Sequence, residues 1–191
     1  MLDVGCGDGR TFKTIDKRRQ LYTAGVDIFE PYLRKAKKSG VYDGLVLCDI
    51  RNLPFQMKSF DVLLCLSVLE HIKSKSDGLK LVETMEEVAR QRVIIGTPVG
   101  EYKQEMYDDN PYQEHRSSWV PAEFKRRGYK VRGYGLRFMR EEEWLPRTPK
   151  PLKLLRYGIY GLVAPLVYFF PELAGHMACT KNVIKRKGTR W

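Results

Sequence analysis

Apolar positions along the chain fall into short runs separated by segments with helical spacing. Leu2 and Val4 form a first apolar scrap that stops at Gly5. Residues 24–27 and 44–48 are two further runs, ending at Asp27 and just before Asp49. Residues 60–66 make a fourth run and residues 93–95 a fifth, closed by Gly96, Thr97 and Pro98. Residues 31–38 read as a helix with Pro31 early, where its missing N–H costs nothing. Residues 79–92 read as another, with Leu79, Val82, Met85, Val88 and Ala89 close to helical spacing. Strands that are apolar on both faces and alternate with helices predict a parallel sheet covered on both sides. The expected fold is therefore α/β: Rossmann-like, doubly wound and mostly parallel, with helices on both faces.

Beyond residue 98 the pattern changes. Residues 98–118 are polar and aromatic, with Tyr102, Tyr107 and Tyr112, and Trp119 follows. A long loop at the carboxyl end of a strand is where such folds place substrate contacts. Residues 121–127 read as a short helix stopped by Gly128, though Val120 stands where a Ser or Thr cap is expected. Residues 129–136 are strand-like, and Pro146, Pro149 and Pro151 make 144–153 a connector. One domain is expected over 1–191. It comprises a core at 1–137, an apolar and basic insertion at 138–173, a last strand within 174–184 and a basic tail at 185–191. Met1 leaves at most four residues for the first strand, so either the true start lies upstream or the amino-terminal cap is missing.

Composition narrows the function classes. Hydrophobic residues at 43% and charged residues at 30% exclude a disordered chain and a polytopic membrane protein. Cys6, Cys48, Cys65 and Cys179 form no CxxC pair, which argues for a reduced, cytoplasmic setting, and no secretory signal is read. His71, His115 and His176 form no HxH or HxxxH pair, so no metal site is expected. The net charge of +11 is unevenly spread: residues 1–124 carry a net −1 and residues 125–191 a net +12. A basic third of this kind meets nucleic acid, an anionic membrane or an anionic substrate, or is a solvated surface.

The sharpest signal is Asp3-Val4-Gly5-Cys6-Gly7-Asp8-Gly9-Arg10. A strand running into alternating glycines cradles a nucleotide, because glycine allows the tight turn and close backbone approach. The dinucleotide fingerprint GxGxxG would need glycine at position 10, which is Arg10. Asp27 lies 22 residues after Gly5, where an acid accepts ribose hydroxyls; alone it would read equally as a helix cap. Asp49, directly after a strand, suits an adenine amino group or an ordinary turn.

Together these segments resemble a class I S-adenosylmethionine-dependent methyltransferase of the small type-11 group. LDVGCGDGR, GVDIFEPYLRKAK, CDIRNLPF and FDVLLCLSVLEHI resemble that family's first four motifs, in order and spacing. RVIIGTP resembles the fifth-strand segment, and EHRSSWVPAEFKRRGYKV the stretch where a loop histidine precedes a helix and strand. The resemblance covers roughly residues 1–137. It implies S-adenosylmethionine as cofactor and S-adenosylhomocysteine as product. Asp3, Gly5, Cys6, Gly7 and Gly9 would hold the methionine end, and Asp27 with Ile28 the ribose. Asp49 and Ile50 would flank the adenine, and Leu66 and Ser67 would line the methyl group. His71 and His115 would lie near the substrate opening.

An oxygen acceptor needs a base, and His115, in the polar aromatic loop, is the better candidate. His71 reads equally as structural, and Tyr107 and Glu114 are lesser candidates. The expected acceptor is a lipid-linked, glycan or small-molecule hydroxyl. A methyltransferase-like binding module without turnover is a second reading. An RNA methyltransferase is a third; residues 125–140 would serve it, but no compact RNA-binding module is visible. A nicotinamide-dependent reductase is disfavoured by Arg10 and by the lack of a Tyr-xxx-Lys pair. Residues 157–170 carry no charge, and basic residues flank them on both sides. That is too short to span a bilayer, which needs about 20 residues, but suits a peripheral contact with the anionic inner face of the membrane. The alternatives are core packing or a dimer contact.

Overall fold

The computed structural model of the protein describes residues 1–14, 21–137 and 150–184. Residues 138–149 of the expected insertion and the tail 185–191 lie outside the described residues, as do the side chains of Lys150, Lys153, Arg156, Tyr157 and Tyr160.

Seven strands form one sheet in the order β3-β2-β1-β4-β5-β7-β6. They are β1 (Leu2–Val4), β2 (Ala24–Asp27), β3 (Gly44–Leu47), β4 (Phe60–Leu66), β5 (Ala89–Pro98), β6 (Lys130–Leu136) and β7 (Ala174–Asn182). The first five pair in parallel, and β7 runs antiparallel between β5 and β6. This is the expected Rossmann-like arrangement with helices on both faces. The chain winds outward from β1 to β3, then returns to place β4 on the other side of β1. That reversal opens a crevice at the carboxyl ends of β1 and β4, the place where open α/β sheets bind ligands.

The three residues of β1 are all buried between β2 and β4, with Leu2 against Ala24 and Leu63 in register. A central strand loses water on both faces, so its short apolar run is enough to identify it. At the other extreme, β3 is an edge strand, and Leu47 is 56% exposed although its run reads as buried. Alternation of apolar residues cannot tell an edge from a centre.

Helix α1 (Glu30–Ser39) forms as expected, with Pro31 in its first turn, and stops at Gly40, whose φ of 62° is left-handed. Helix α2 (Lys75–Val88) starts earlier than its apolar spacing implies. Ser74 caps it, its hydroxyl accepting from the Asp77 N–H at 3.3 Å. It also ends earlier, because residues 89–92, read from spacing as helix, form the first turnless part of β5 and pair with β4 and β7. Helix α3 (Pro121–Arg126) lacks a side-chain hydroxyl at Val120. Glu123 compensates by taking the Val120 N–H at 2.8 Å, half of a capping box.

The apolar segment near the carboxyl end is one 20-residue helix, α4 (Lys150–Phe169), with Pro165 inside it. It starts within the stretch that its prolines predict to be connector, with Pro151 in the first turn, where proline is tolerated. Among the described residues no helix is long and apolar enough to cross a membrane. Helix α4 packs on β6 through Val167, which is buried, while Leu162, Leu166, Phe169 and Phe170 stay exposed. Gly133 in β6 allows this approach: a Cβ there would meet the Val167 carbonyl, the Ala174 Cβ at 2.6 Å and the Pro171 Cα at 2.9 Å. Gly133→Ala must therefore push α4 off the sheet. A loss of about 1–3 kcal/mol in urea unfolding is expected, and an unchanged midpoint would contradict the close docking of α4.

Candidate cofactor and acceptor site

The turn after β1 is built from three left-handed glycines, with φ of 72° at Gly5, 53° at Gly7 and 78° at Gly9. L side chains rarely adopt such backbone, so the alternating glycines are a geometric requirement. At Gly5 space is also decisive, since a Cβ would lie 2.5 Å from the Val68 Cγ2. The Val26 carbonyl accepts from the Gly5 and Cys6 amides at 2.8 and 2.9 Å, which ties the turn to the end of β2. Asp27 completes the tie. Its Oδ2 accepts the Gly7 N–H and its Oδ1 the Phe29 N–H, both at 2.8 Å. Each oxygen keeps lone pairs for a further donor. Burial pushes the Asp27 carboxyl up, and these backbone hydrogen bonds oppose the shift.

A cavity of about 580 Å³ opens at this edge. Gly5, Gly7, Asp27, Ile28, Asp49, Ile50, Ser67 and His71 line it. Asp3, Cys6, Gly9, Leu66 and His115 are not among the lining residues. Asp3 is buried beneath the turn and accepts the Tyr42 hydroxyl at 2.6 Å; burial raises its carboxyl to about 6. Cys6 is buried against Gly25, and burial pushes its thiol up. The Asp49 carboxylate caps the turn at Ile50–Asn52 and is held by the Arg51 guanidinium, which keeps it below the usual carboxylate range. Ser67, the first residue after β4, is non-glycine at φ 54°, its amide bonded to the Gly96 carbonyl at 2.8 Å. Such backbone costs about 1–3 kcal/mol and clusters at functional sites.

The wall opposite the glycines comes from the loop after β5, through Asn110, Tyr112, Gln113 and Arg116. Asn110, Tyr112 and Gln113 carry no sequence signature beyond lying in an aromatic loop, whereas Arg116 falls in the stretch EHRSSWV. The loop is stapled to the turn after β4. The Glu70 carbonyl accepts the Arg116 and Ser117 amides at 2.7 and 3.0 Å, and the Ser117 hydroxyl donates to the Leu69 carbonyl at 3.0 Å. His71 Nδ1 donates to the Glu114 carbonyl at 3.0 Å, and His115 Nδ1 to the Tyr102 carbonyl at 2.7 Å. The two imidazoles stand 4.9 Å apart, edge to face. Burial lowers the His71 pKa and so favours the neutral ring, while hydrogen bonds to the Glu114 and Ser67 backbone oppose the shift. Beneath them Glu70, which sequence reasoning passes over, is 2% exposed and raised by burial to about 7.

A seven-stranded doubly wound sheet with a glycine turn, an acid at the end of β2 and a cavity at the strand reversal defines a nucleotide-cofactor protein. The family described as "Methyltransferase domain" matches residues 2–95. Over this stretch the chain is a class I S-adenosylmethionine-dependent methyltransferase domain of the type-11 group. It is 28% identical over 121 residues to a probable tRNA methyltransferase 9B of Bos taurus, covering 63% of this chain and 25% of that one. It is 35% identical over 78 residues to a ubiquinone biosynthesis O-methyltransferase of Hahella chejuensis, covering 38% of this chain and 32% of that one. The chain thus spans a quarter to a third of the length of these curated relatives. The crystal structure of a SAM-dependent methyltransferase from Archaeoglobus fulgidus superposes with a TM-score of 0.61 at 15% identity, covering 95% of this chain and 84% of that one. The cofactor of the family is S-adenosylmethionine. The cavity fits it in kind: its volume is that of a small-molecule site, with carboxylates beside apolar Ile28, Ile50 and Val68.

The buried Asp3 gives a pH-dependent expectation. Its folded pKa of about 6 exceeds the unfolded value near 3.8. The native state then holds the proton more tightly, and stability falls as pH rises through that window. The loss is complete above pH 6 and amounts to at most about 3 kcal/mol. Asp3→Asn should therefore match the wild type in melting temperature near pH 4 and exceed it at pH 7.5. A pH-independent difference would contradict a buried, proton-retaining Asp3.

Proposed function

We propose that this chain transfers a methyl group from S-adenosylmethionine to a hydroxyl acceptor presented over the loop 98–118. The observation that carries this is Asp27, which fastens the glycine turn by two hydrogen bonds and still faces the cavity. When bound, the sulfonium supplies an already activated methyl group, so positioning and exclusion of water are the protein's part. In this reading Gly5, Gly7 and Gly9 hold the methionine end with Asp3 and Cys6 beneath them. Asp27 and Ile28 hold the ribose, and Asp49 and Ile50 flank the base. Leu66 and Ser67 stand at the methyl end. His71 and His115 stand on the acceptor side, where a neutral imidazole can take a hydroxyl proton.

A lipid-linked acceptor, met at an anionic membrane surface, is supported by α4. Leu162, Leu166, Phe169 and Phe170 present an exposed apolar surface, and the Arg132 guanidinium lies 5.1 Å from the Tyr168 ring centre. Basic residues beside exposed aromatics suit anionic headgroups. A tRNA acceptor is the second reading, favoured by the net +12 of residues 125–191 and by the relatives named as tRNA methyltransferases.

Two measurements test these readings. In calorimetry the protein should bind S-adenosylmethionine and not NAD. Asp27→Ala should weaken that binding by about 2–3 kcal/mol, roughly 30- to 150-fold; unchanged affinity would remove Asp27 from the site, and tight NAD binding would remove the cofactor assignment. For the acceptor, the protein should sediment with anionic vesicles at low salt. Serine at Leu166, Phe169 and Phe170 should abolish this. No sedimentation, together with labelled methyl appearing in tRNA, would replace the lipid reading with the RNA one.

A further inference from the structure

The three histidines show no metal-ligand spacing in sequence, yet the fold brings two of them together with a buried acid. We propose that Glu70, His71 and His115 form a site for one divalent transition-metal cation beside the cofactor cavity. One donor atom from each of the three lies within 4.8 Å of the others. Ligands of a single ion at about 2.1 Å sit roughly 3.0–3.4 Å apart, so small side-chain rotations close the set.

Three further observations point to a cation. The Glu70 side chain is 2% exposed; the Thr97 hydroxyl donates to its Oε2 at 3.0 Å, and its Oε1 has no hydrogen-bond partner. A buried carboxylate oxygen left unpaired is costly, and a cation would satisfy it. Both imidazoles turn Nδ1 toward a backbone carbonyl, which can only accept. A proton on Nδ1 puts the lone pair on Nε2, the orientation that metal-ligating histidines share, and a cation at His71 would compete with the hydrogen bond its ring also makes to the Ser67 backbone. Finally, the set is held in place before any ligand arrives. The Glu70 carbonyl holds the amides of Arg116 and Ser117, and the His115 amide donates to the Gln104 carbonyl at 3.0 Å.

Two imidazoles and one carboxylate suit zinc, cobalt, iron or manganese better than calcium. His71 lines the cavity, so a coordination position of the ion faces it. An acceptor oxygen fills that position, where the cation lowers its pKa and takes over the part of the base, since both imidazoles are then ligands; this last point rests on the function proposed above, whereas cation binding does not.

The test uses the full chain without an affinity tag, stripped with chelator, then titrated with cobalt or zinc chloride alone. One equivalent should bind, and cobalt should show ligand-field absorption. Glu70→Gln, His71→Gln and His115→Gln should each weaken uptake about tenfold or more, while His176→Gln leaves it unchanged. Zinc X-ray absorption on the wild type, which needs no variant to fold, should report two imidazoles. No stoichiometric uptake, uptake that all three variants retain, or a shell without imidazole overturns the site. S-adenosylmethionine calorimetry on the stripped protein runs in parallel. Cofactor binding without metal uptake rejects the metal site and leaves the methyltransferase reading standing.

Discussion

The arrangement at the carboxyl edge of the sheet depends on the carboxylate of Asp27. It sits at the end of β2, adjacent to the buried β1, and closes the glycine turn by accepting the Gly7 amide while fixing the start of the next segment through Phe29. A turn with three left-handed glycines gives up much backbone entropy, so it needs fixed acceptors to hold one shape. The Val26 carbonyl and Asp27 provide them. Asp3 below, bonded to Tyr42, anchors the same turn from the core side. The cavity is thus framed by the strand order itself, because the winding of the parallel strands reverses between β1 and β4.

The second wall depends on backbone pairing of a different kind. The loop after β5 has no regular ladder, yet it is not loosely laid over the site. Its amides at Arg116 and Ser117 both end on the Glu70 carbonyl, and the His71 ring reaches the Glu114 carbonyl. The strained Ser67 marks the start of this junction, at the end of β4. Rigid elements on one side and a pinned loop on the other hold the cavity's lining groups in place before any ligand binds, which lowers the entropic cost of binding.

Much of this was legible in the sequence. The short apolar runs gave the strands, because a buried central strand such as β1 must be apolar on both faces. The glycines of the first turn announced their own conformation, and Asp27 its place at the end of β2. Tertiary pairing hid other features. The end of α2 at Val88 is set by strand partners more than 80 residues away, such as Asn182 opposite Arg92. The edge position of β3 follows from strand order, which spacing does not encode. Proline disfavours a helix interior, yet α4 runs through Pro165. Glu70 looked like one polar residue in a helix start, and its meeting with His115, 45 positions on in sequence, is created by the loop staple alone.

The decisive measurement is a crystal structure grown with S-adenosylhomocysteine. The ligand should lie across the strand reversal, its ribose hydroxyls on Asp27, its base against Ile50 and its sulfur facing Ser67. Density for the ligand elsewhere, or an Asp27 bonded only to Gly7 and Phe29 with the ligand present, would contradict it.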